Sequence, residues 1–310
     1  MGEKQDRDQK EEITPVILFA YARPDCLRRT LDGLRANRIP LLYIFCDGSK
    51  SEKDRVNVHE VQQIARGVNW CETRLTCREE NLGLGRSVLM GVTDVLSKYT
   101  KVIVFEDDIV AAPGTYQFMC EALRVYENNT HVMSVSAWTH PKIRPPQVAR
   151  KSFFTGRFAS WGWGTWRRAW EGMDTPAPVL LRQCRWRWVN VERYGTDIPY
   201  MAEHESELNI WAARFALLHM LRRGLCLHPP QSLVENIGMD GRGANVVGDF
   251  WAQDSHLSMQ SNAWEWPIAR ETKASVELWQ LACGMRYSRV RTALDKIVKL
   301  FGHVGKLSSS

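Results

Sequence analysis

The chain has 310 residues, of which 44% are apolar and 25% charged, with 21 glycines and 13 prolines. This composition is ordinary for a folded protein and excludes collagen-like, coiled-coil and wholly disordered chains. A chain of this length buries enough surface to fold without disulfides or a structural metal. The net charge of +6 suits a phosphate-bearing ligand or an anionic membrane surface, but it is too small to require a nucleic-acid partner, and we expect none.

The N-terminal residues and the cysteines both favour a cytoplasmic protein. Residues 1–12 are charged and lack the apolar core of a secretory signal, so we expect a mobile tail there. No apolar run approaches the roughly 20 residues that span a bilayer. The eight cysteines show neither a CxxC pair nor metal-ligand spacing, which predicts reduced and mostly buried thiols.

Strand and helix patterns alternate along the chain from Pro15 onward. Apolar runs predict strands at Val16–Tyr21, Leu41–Cys46, Thr73–Cys77, Lys101–Phe105, His131–Ser136 and Leu225–Leu227. Helical periodicity predicts helices between the early strands and a later helix over Glu207–Arg223. The alternation implies an α/β fold with a mostly parallel sheet covered by helices.

Polar side chains stand at the carboxyl ends of three predicted strands, where ligands bind in sheets of this kind. They are Arg23, Asp47 and the run Glu106–Asp108, which we expect at one edge of the sheet. The segment before Arg23 contains no glycine, so neither a dinucleotide fingerprint nor a phosphate-binding P-loop is present. A bound nucleotide would therefore need side chains, with Arg23 toward phosphate and Asp47 toward a base N–H. Each residue alone equally fits a surface role.

Three consecutive carboxylates, Glu106, Asp107 and Asp108, end a strand that is predicted to be buried. They repel one another, so a cation should compensate them, and a hard divalent ion takes oxygen ligands of this kind. Strand alternation would put Glu106 and Asp108 on one face and Asp107 on the other. A solvated corner at the end of the strand is the alternative.

Several segments taken in order resemble GT-A nucleotide-sugar glycosyltransferases of the N-acetylglucosaminyltransferase I type. The segments are TPVILFAYARPDCLRRTLDGL, FCDGS, ENLGLGRSVLMGVTDVLSKYTKVIVFEDDIVAAPGTYQFM and VMSVSAW. Bacterial surface-polysaccharide glycosyltransferases are similar and share the elements SWGWGTW and LVENIG. The resemblance covers about residues 14–245.

The resemblance implies a GT-A (Rossmann-like) fold and inverting transfer from a UDP-sugar to a glycan acceptor, assisted by Mn²⁺ or Mg²⁺. It assigns the metal to Asp108, the donor ribose and sugar to Glu106 and Asp107, the uracil to Asp47, and the nucleotide surroundings to Arg23 and Arg86. A metal on the phosphates would offset the charge that develops on the departing UDP.

The glycine-punctuated stretch after the first half is expected on the acceptor side. Glycines let the backbone approach a ligand closely, and indole faces suit sugar rings. These residues are Trp161, Gly162, Trp163 and Gly164. The alternative is that the tryptophans form core, which we expect for Trp166 and Trp170, four residues apart on a predicted helix.

The chain departs from the family where a catalytic base is expected. Trp211 matches the tryptophan that precedes the catalytic carboxylate, but Ala212 and Ala213 follow it. Asn245 stands where related bacterial sequences often have histidine. Glu207, and after it Glu205, are the candidate bases because an inverting transfer needs the acceptor hydroxyl deprotonated. Alternatively, Glu207 is a solvated first-turn carboxylate favoured by the helix dipole.

Two other functions compete with transfer. A catalytically impaired relative that binds nucleotide-sugar or glycan as a scaffold would explain Ala212 and Asn245. A sugar nucleotidyltransferase would need a glycine-rich first loop followed by lysine, which the segment FAYARPD does not provide.

We expect a GT-A-like domain over residues 13–265 and a basic helical appendage over 266–310. Between 281 and 310 six Lys and Arg face one Asp, with apolar residues at helical spacing. Such a helix either lies peripherally on an anionic membrane, which would suit a lipid-linked glycan acceptor, or packs against the domain. The run Arg185–Trp188 alternates arginine with tryptophan, as membrane-interface and single-strand nucleic-acid segments do. The alternatives are a helix edge near the acceptor and a packed surface.

Overall fold

A mixed sheet of eight strands, in the order β3-β2-β1-β4-β8-β6-β9-β7, forms the centre of the fold. The computed structural model describes residues 13–139, 151–238, 265–271 and 276. The strands are β1 (Val16–Ala20), β2 (Leu41–Cys46), β3 (Glu72–Cys77), β4 (Lys101–Glu106), β5 (Ile109–Ala111), β6 (Val132–Ser136), β7 (Phe153–Thr155), β8 (Trp163–Trp166), β9 (Leu225–His228) and β10 (Val234–Asn236). Strands β5 and β10 pair separately and antiparallel.

Helices flank the sheet, which gives an α/β fold of Rossmann-like type. They are α1 (Pro24–Ala36), α2 (Arg55–Arg66), α3 (Leu84–Lys98), α4 (Thr115–Val125), α5 (Arg167–Trp170), α6 (Ala177–Trp186), α7 (Asp197–Glu203), α8 (Glu205–Leu208) and α9 (Ala212–Arg222). Helix α3 packs on β1 and β4, α2 on β2 and β3, and α4 on β6 and β8. No helix in the described ranges is long and apolar enough to cross a bilayer.

The predicted strands are confirmed, with ends shifted by at most one residue. Every residue of β1, β2 and β6 is buried, as expected for parallel strands covered on both faces. Strand β3 instead alternates between exposed and half-buried residues, in keeping with its place at the edge of the sheet. The seven described cysteines are free, and four of them are buried.

The tryptophan-rich stretch contributes a strand that the periodicity did not predict. Strand β8 runs antiparallel between β4 and β6, and β7 runs antiparallel to β9, while the other six strands of the sheet are parallel. Gly162 makes this possible because it adopts φ +61° and lies against Phe105 and Val234, where a side chain would crowd them. The second half of the chain is therefore built into the same sheet as the first.

The predicted helix over Glu207–Arg223 is interrupted. Helix α8 ends at Leu208, and Asn209 takes a left-handed conformation with φ +48° before α9 begins at Ala212. Asn209 packs against Gly83 and Gly85 at the start of α3, a tertiary contact that local periodicity cannot reveal. Glu207 and Trp211 are thus not one turn apart on a single helix.

Residues 265–271 pack on the sheet-bearing body rather than beginning a separate helix. The Trp266 ring contacts Phe118 at 5.6 Å, and the Tyr126 hydroxyl donates to the Pro267 carbonyl at 2.6 Å. Glu271 accepts from the Gly156 amide at 2.5 Å. The N-terminal tail, Asn245 and the basic segment 281–310 lie outside the described residues.

Candidate functional site at the carboxyl edge of the sheet

Three parallel strands bring the predicted polar residues to one edge. In the register of the sheet Phe19 lies beside Glu106, and Ala20 lies beside Cys46. Just beyond these pairs, the Tyr21 amide donates to Asp107 Oδ2 at 2.7 Å. The Asp47 amide donates to the Ala20 carbonyl at 3.1 Å. The ends of β1, β2 and β4 therefore meet, as expected for a parallel sheet.

Arg23 lies between two members of the acidic run. Its Nη2 is 2.6 Å from Asp107 Oδ1, and its Nη1 is 2.8 Å from Asp108 Oδ2. The expected alternation of faces is wrong because β4 ends at Glu106 and the chain turns before β5. Both aspartates consequently reach the same guanidinium, which supplies part of the compensating charge.

Arg23 does not fully offset the cost of holding three carboxyl groups close together in a buried place. Burial raises the pKa of Glu106 to about 8, and repulsion from Asp108 and Asp107 adds to the effect. Burial also raises the pKa of Asp107 to about 7, against the opposing influence of Arg23. Burial lowers the pKa of Arg23, but the two aspartates more than offset this and leave it above its usual value. A further cation would relieve the remaining repulsion.

Asp108 has one carboxylate oxygen left over. Its Oδ1 is buried and has no hydrogen-bond partner among the described residues, whereas Oδ2 faces Arg23. A buried oxygen without a partner is costly, which makes Oδ1 a candidate contact for an ion or a water molecule. Within the described ranges no group of three or more His, Cys, Asp or Glu side chains is arranged to hold a metal. A divalent ion here would therefore take one or two carboxylates and complete its shell from a bound ligand and water, as Mg²⁺ commonly does.

The segment after β10 covers the acidic run. The Ile237 amide donates to the Asp108 carbonyl at 2.9 Å, and the Asn236 side chain accepts from the Gly238 amide at 2.8 Å. A Cβ added at Gly238 would overlap both Asp108 Oδ2 and the Arg23 guanidinium. Glycine is thus needed for the backbone to close over this ion pair.

Asp47 fastens the turn before α3. Its buried carboxylate accepts from the Leu82 amide at 3.0 Å and from the Gly83 amide at 2.8 Å. Gly83 is the residue that precedes α3, with φ +73°. Asp47 therefore holds the start of this helix at the carboxyl edge, next to the strand that carries Arg23.

Arg78 belongs to this edge, and the sequence reasoning missed it. It directly follows β3, so the rule that singled out Arg23 and Asp47 would have found it. Its Nη1 donates to Ser87 Oγ at 2.5 Å and lies 3.8 Å from Asp47 Oδ1, and its guanidinium lies over the Phe45 ring. Burial lowers its pKa.

Two other residues near the edge differ in how firmly they are held. The Tyr21 hydroxyl donates to Asp54, and burial raises the pKa of Tyr21 to about 12. Arg86, in the first turn of α3, is exposed and forms no ion pair with a described acid. Arg86 is therefore free to reach an anion at the site.

The glycine-punctuated stretch divides into a core part and a surface part. Trp163 is 1% exposed and stacks on Trp170 and Trp211, so the expectation that it borders a ligand is wrong. Gly164 lies under Leu123 and Met119, with no space for a side chain. Trp161 is half-buried and meets the Trp138 ring edge-on at 4.9 Å. Within Trp161–Gly164, Trp161 is therefore the aromatic residue that is not fully buried.

The expected burial of Trp166 and Trp170 is confirmed, although the two do not share a helix. Both rings are at most 5% exposed. Trp166 ends β8 and Trp170 ends α5. Their positions follow from the strand that the tryptophan-rich stretch forms.

The two candidate bases have different surroundings. Glu205 accepts from the Ala177 amide at 3.0 Å, at the start of α6, and from Arg214 Nε at 2.5 Å. Glu207 is exposed and has no ion-pair partner among the described residues. It lies two residues before Asn209, which touches the turn that Asp47 fastens. Glu205 is held by the protein, whereas Glu207 is free at the side of the α3 start.

Comparison with known proteins gives distant structural likenesses. No protein-family model matches the chain, and no curated protein matches it. A mannosyltransferase from Pyrobaculum calidifontis, solved with GDP-Man and Mn²⁺, matches 56% of this chain at 16% identity and a TM-score of 0.35. This chain spans 46% of that enzyme.

Two sugar-nucleotide enzymes give comparable values. The match to a UDP-glucose pyrophosphorylase complexed with UDP-glucose covers 72% of this chain and 92% of the pyrophosphorylase chain, at 10% identity and a TM-score of 0.34. A putative glucose-1-phosphate thymidylyltransferase from Bacillus anthracis matches 52% of this chain and 74% of its own, at 8% identity and a TM-score of 0.31. Likenesses this distant identify no substrate, so the function has to be argued from the residues of the site.

Proposed function

We propose that the chain is a metal-dependent, inverting glycosyltransferase of GT-A type that moves a sugar from a UDP-sugar to a glycan acceptor. The observation that carries the proposal is the unpartnered, buried Oδ1 of Asp108, at the carboxyl edge of the sheet and beside Arg23. The ordered motifs that resemble this enzyme class cover the same strands and loops. A cation bound there would face a ligand that enters beyond the strand ends.

Asp108 would hold Mn²⁺ or Mg²⁺ through Oδ1. When bound, such an ion neutralises diphosphate charge as the donor bond breaks. Arg23 fixes Asp107 and Asp108 relative to each other, so the acidic run is set before the donor arrives. Glu106 and Asp107 would contact the donor ribose and sugar.

The nucleotide would lie along the start of α3. Asp47 accepts two backbone amides there, and an ionised carboxylate has about four acceptor positions, which leaves room for a uracil N–H. Arg86 is exposed on the first turn of the same helix and would approach the phosphates. Arg78 supports Asp47 from behind through its ion pair.

Glu207 is the base that we favour. Inverting transfer needs a carboxylate to take the acceptor proton as the hydroxyl attacks. Both oxygens of Glu205 already accept hydrogen bonds from the protein, while Glu207 is exposed. Trp161, which is half-buried, would border the acceptor.

The test is calorimetric titration of UDP with and without Mn²⁺. Wild type should bind UDP more tightly with the metal, and Asp108→Asn should lose this metal dependence while keeping its thermal unfolding transition. Asp32→Asn, on the exposed face of α1, is the matched control and should bind as wild type does. Equal metal dependence in Asp108→Asn and wild type would overturn the proposal.

A catalytically impaired relative that binds donor or glycan is the second candidate. Ala212 at the start of α9 favours it, together with the engagement of Glu205 by Ala177 and Arg214. The two functions separate in one assay, which measures UDP release with donor, Mn²⁺ and a panel of glycan acceptors. Metal-dependent UDP binding without release across the panel would favour the scaffold.

A further inference from the structure

Two tryptophans project from the end of α6. Trp186 is 79% exposed and Trp188 is 94% exposed, whereas Trp163, Trp166, Trp170 and Trp211 are at most 5% exposed. Neither projecting ring packs against another ring among the described residues. Two large apolar side chains this exposed within three residues form a candidate interaction surface.

The backbone holds these rings outward. Trp188 has φ +58°, a left-handed conformation that a helix end usually gives to glycine. Its amide donates to the Arg185 carbonyl at 3.1 Å, and the Val189 amide donates to the Cys184 carbonyl at 2.9 Å. A bulky residue in this conformation is strained. The chain therefore ends α6 with an exposed indole at a position where glycine would fit more easily.

The opposite face of α6 is anchored. Leu180, Leu181 and Cys184 are each at most 2% exposed, and the helix packs on α7 and α9. The projecting rings are thus mounted on a fixed helix rather than on a free loop.

The surroundings of the two rings are positively charged. Arg182, Arg185 and Arg187 are exposed on the same turns. Arg185 pairs with Glu203 at 2.9 Å, but Arg182 and Arg187 form no ion pair with a described acid. We call Arg182, Trp186, Arg187 and Trp188 the tryptophan–arginine patch.

We propose that the tryptophan–arginine patch docks the protein on an anionic bilayer surface. Indoles favour the headgroup region, and arginines there pair with lipid phosphates. Rings that are 79% and 94% exposed project instead of lining a groove. A fluid anionic headgroup layer accepts projecting rings and pairs with Arg182 and Arg187 at the same time, whereas a folded protein would need a matching cavity. A neutral glycan would stack on the rings but would leave the two arginines without a counter-charge. The proposal does not depend on the proposed sugar transfer.

Co-sedimentation of the full chain with vesicles tests the docking. Binding is expected to vesicles of phosphatidylcholine mixed equally with phosphatidylglycerol, not to phosphatidylcholine alone, and it should weaken in high salt. Arg182→Gln with Arg187→Gln should lower the affinity roughly thirtyfold, since each basic residue near such a surface contributes about a factor of five. Trp186→Ala with Trp188→Ala should also weaken binding.

Matched controls come from exposed residues elsewhere. Val56→Ala with Met90→Ala removes apolar groups that are 75% and 54% exposed on α2 and α3. Arg29→Gln with Arg35→Gln removes two exposed charges from α1. Both controls should bind vesicles as wild type does. Equal loss in controls and patch variants would overturn the proposal.

Fluorine NMR identifies which residues touch the lipid. In 5-fluorotryptophan protein, the signals of Trp186 and Trp188 are assigned by substituting each with Phe, and spin-labelled lipid should broaden both. Vesicle binding that leaves these signals sharp would show that another segment docks and would overturn the proposal. Shifts of both signals with an acidic polysaccharide, without vesicle binding, would overturn it in favour of a glycan surface.

Discussion

Arg23 Nη1 lies 2.8 Å from Asp108 Oδ2, and the other oxygen of that carboxylate remains buried without a partner among the described residues. One carboxylate thus has two distinct sides. The first is fixed by the protein, and the second is the side on which we propose that a cation binds. The position of Asp108 is set before any cation arrives, which reduces the cost of ordering on binding.

Removing Arg23 should weaken the fold. Arg23→Ala leaves Asp107 and Asp108 without their partner, and breaking a buried pair of this kind costs about 3 kcal/mol or more. Urea unfolding at pH 7.5 would measure the loss. Arg23→Lys keeps the positive charge but cannot contact both aspartates as the guanidinium does, so it should recover part of the lost stability. An unchanged midpoint for Arg23→Ala would contradict the structural role.

Gly238→Ala should disturb the site without unfolding the chain. Its new Cβ would overlap Asp108 Oδ2 and Arg23, so the covering segment must move away from the ion pair. We expect about a tenfold loss of metal-dependent UDP affinity, measured by calorimetry. Gly67→Ala is the control, because its Cβ would come no closer than 3.3 Å to the Ile64 carbonyl. Equal affinities for the two variants would count against a covering role.

Substituting the two glutamates should separate catalysis from stability. Glu207→Gln should lower turnover by about a hundredfold with donor affinity unchanged, because an exposed base is lost. Glu205→Gln should instead lower the melting temperature, since it loses the ion pair with Arg214. Initial rates and thermal melts on both proteins provide the comparison. A fully active Glu207→Gln would redirect the search for a base.

Substituting Trp161 and Trp163 should likewise separate an effect on ligand binding from an effect on stability. Trp163→Ala opens a cavity beneath Trp170 and Trp211 and should cost about 3–5 kcal/mol of stability. Trp161→Ala, at a half-buried ring, should unfold close to wild type but bind glycan acceptors more weakly. Urea unfolding and acceptor titration measure the two effects. Equal destabilisation would place both rings in the core.

Two buried histidines should make the fold sensitive to mild acid. Burial lowers the pKa of His219 and of His228 to about 4, from an ordinary 6.5. The unfolded chain therefore binds more protons between pH 6.5 and 4, so stability is complete above 6.5 and falls as the pH drops through that window. Within this window each histidine should lower the free energy of unfolding by up to about 1.4 kcal/mol for every unit that the pH falls.

Thermal melts from pH 4.5 to 7.5 check this dependence. His219 contacts Ser134 Oγ and the Phe215 carbonyl, so His219→Gln should lower stability at pH 7.5. The variant should also show a shallower slope of stability against pH, because up to one fewer proton is taken up on unfolding. An unchanged slope would mean that His219 does not titrate between the folded and unfolded states.

The parallel half of the fold and its edge were predictable from local pattern. Buried parallel strands are unbroken apolar runs, and their carboxyl ends must meet, which brought Arg23, Asp47 and Asp107 together. Arg78 obeys the same rule and was overlooked because β3 is an edge strand with exposed residues. The pairing of Asp107 and Asp108 with one guanidinium depends on a turn that strand alternation does not anticipate.

The features that escaped prediction depend on contacts between distant residues. Strand β8 is four residues long and contains glycine and three bulky or branched side chains, so it has no alternation of apolar and polar residues. The break at Asn209 exists because this residue packs on Gly83 and Gly85. Neither the pairing of β8 nor the packing of Asn209 can be predicted from the pattern of neighbouring residues.

The place of β8 in the sheet constrains how the molecule can be assembled. Among the strands of the eight-stranded sheet, β6 is the next one after β4 along the chain, yet the two are joined only through β8, which is synthesised later. Until residue 166 has left the ribosome, β4 has an unpaired hydrogen-bonding edge, and such edges promote aggregation. A fragment that stops near residue 139 would leave that edge open, so the first half of the chain is a poor candidate for an autonomous domain.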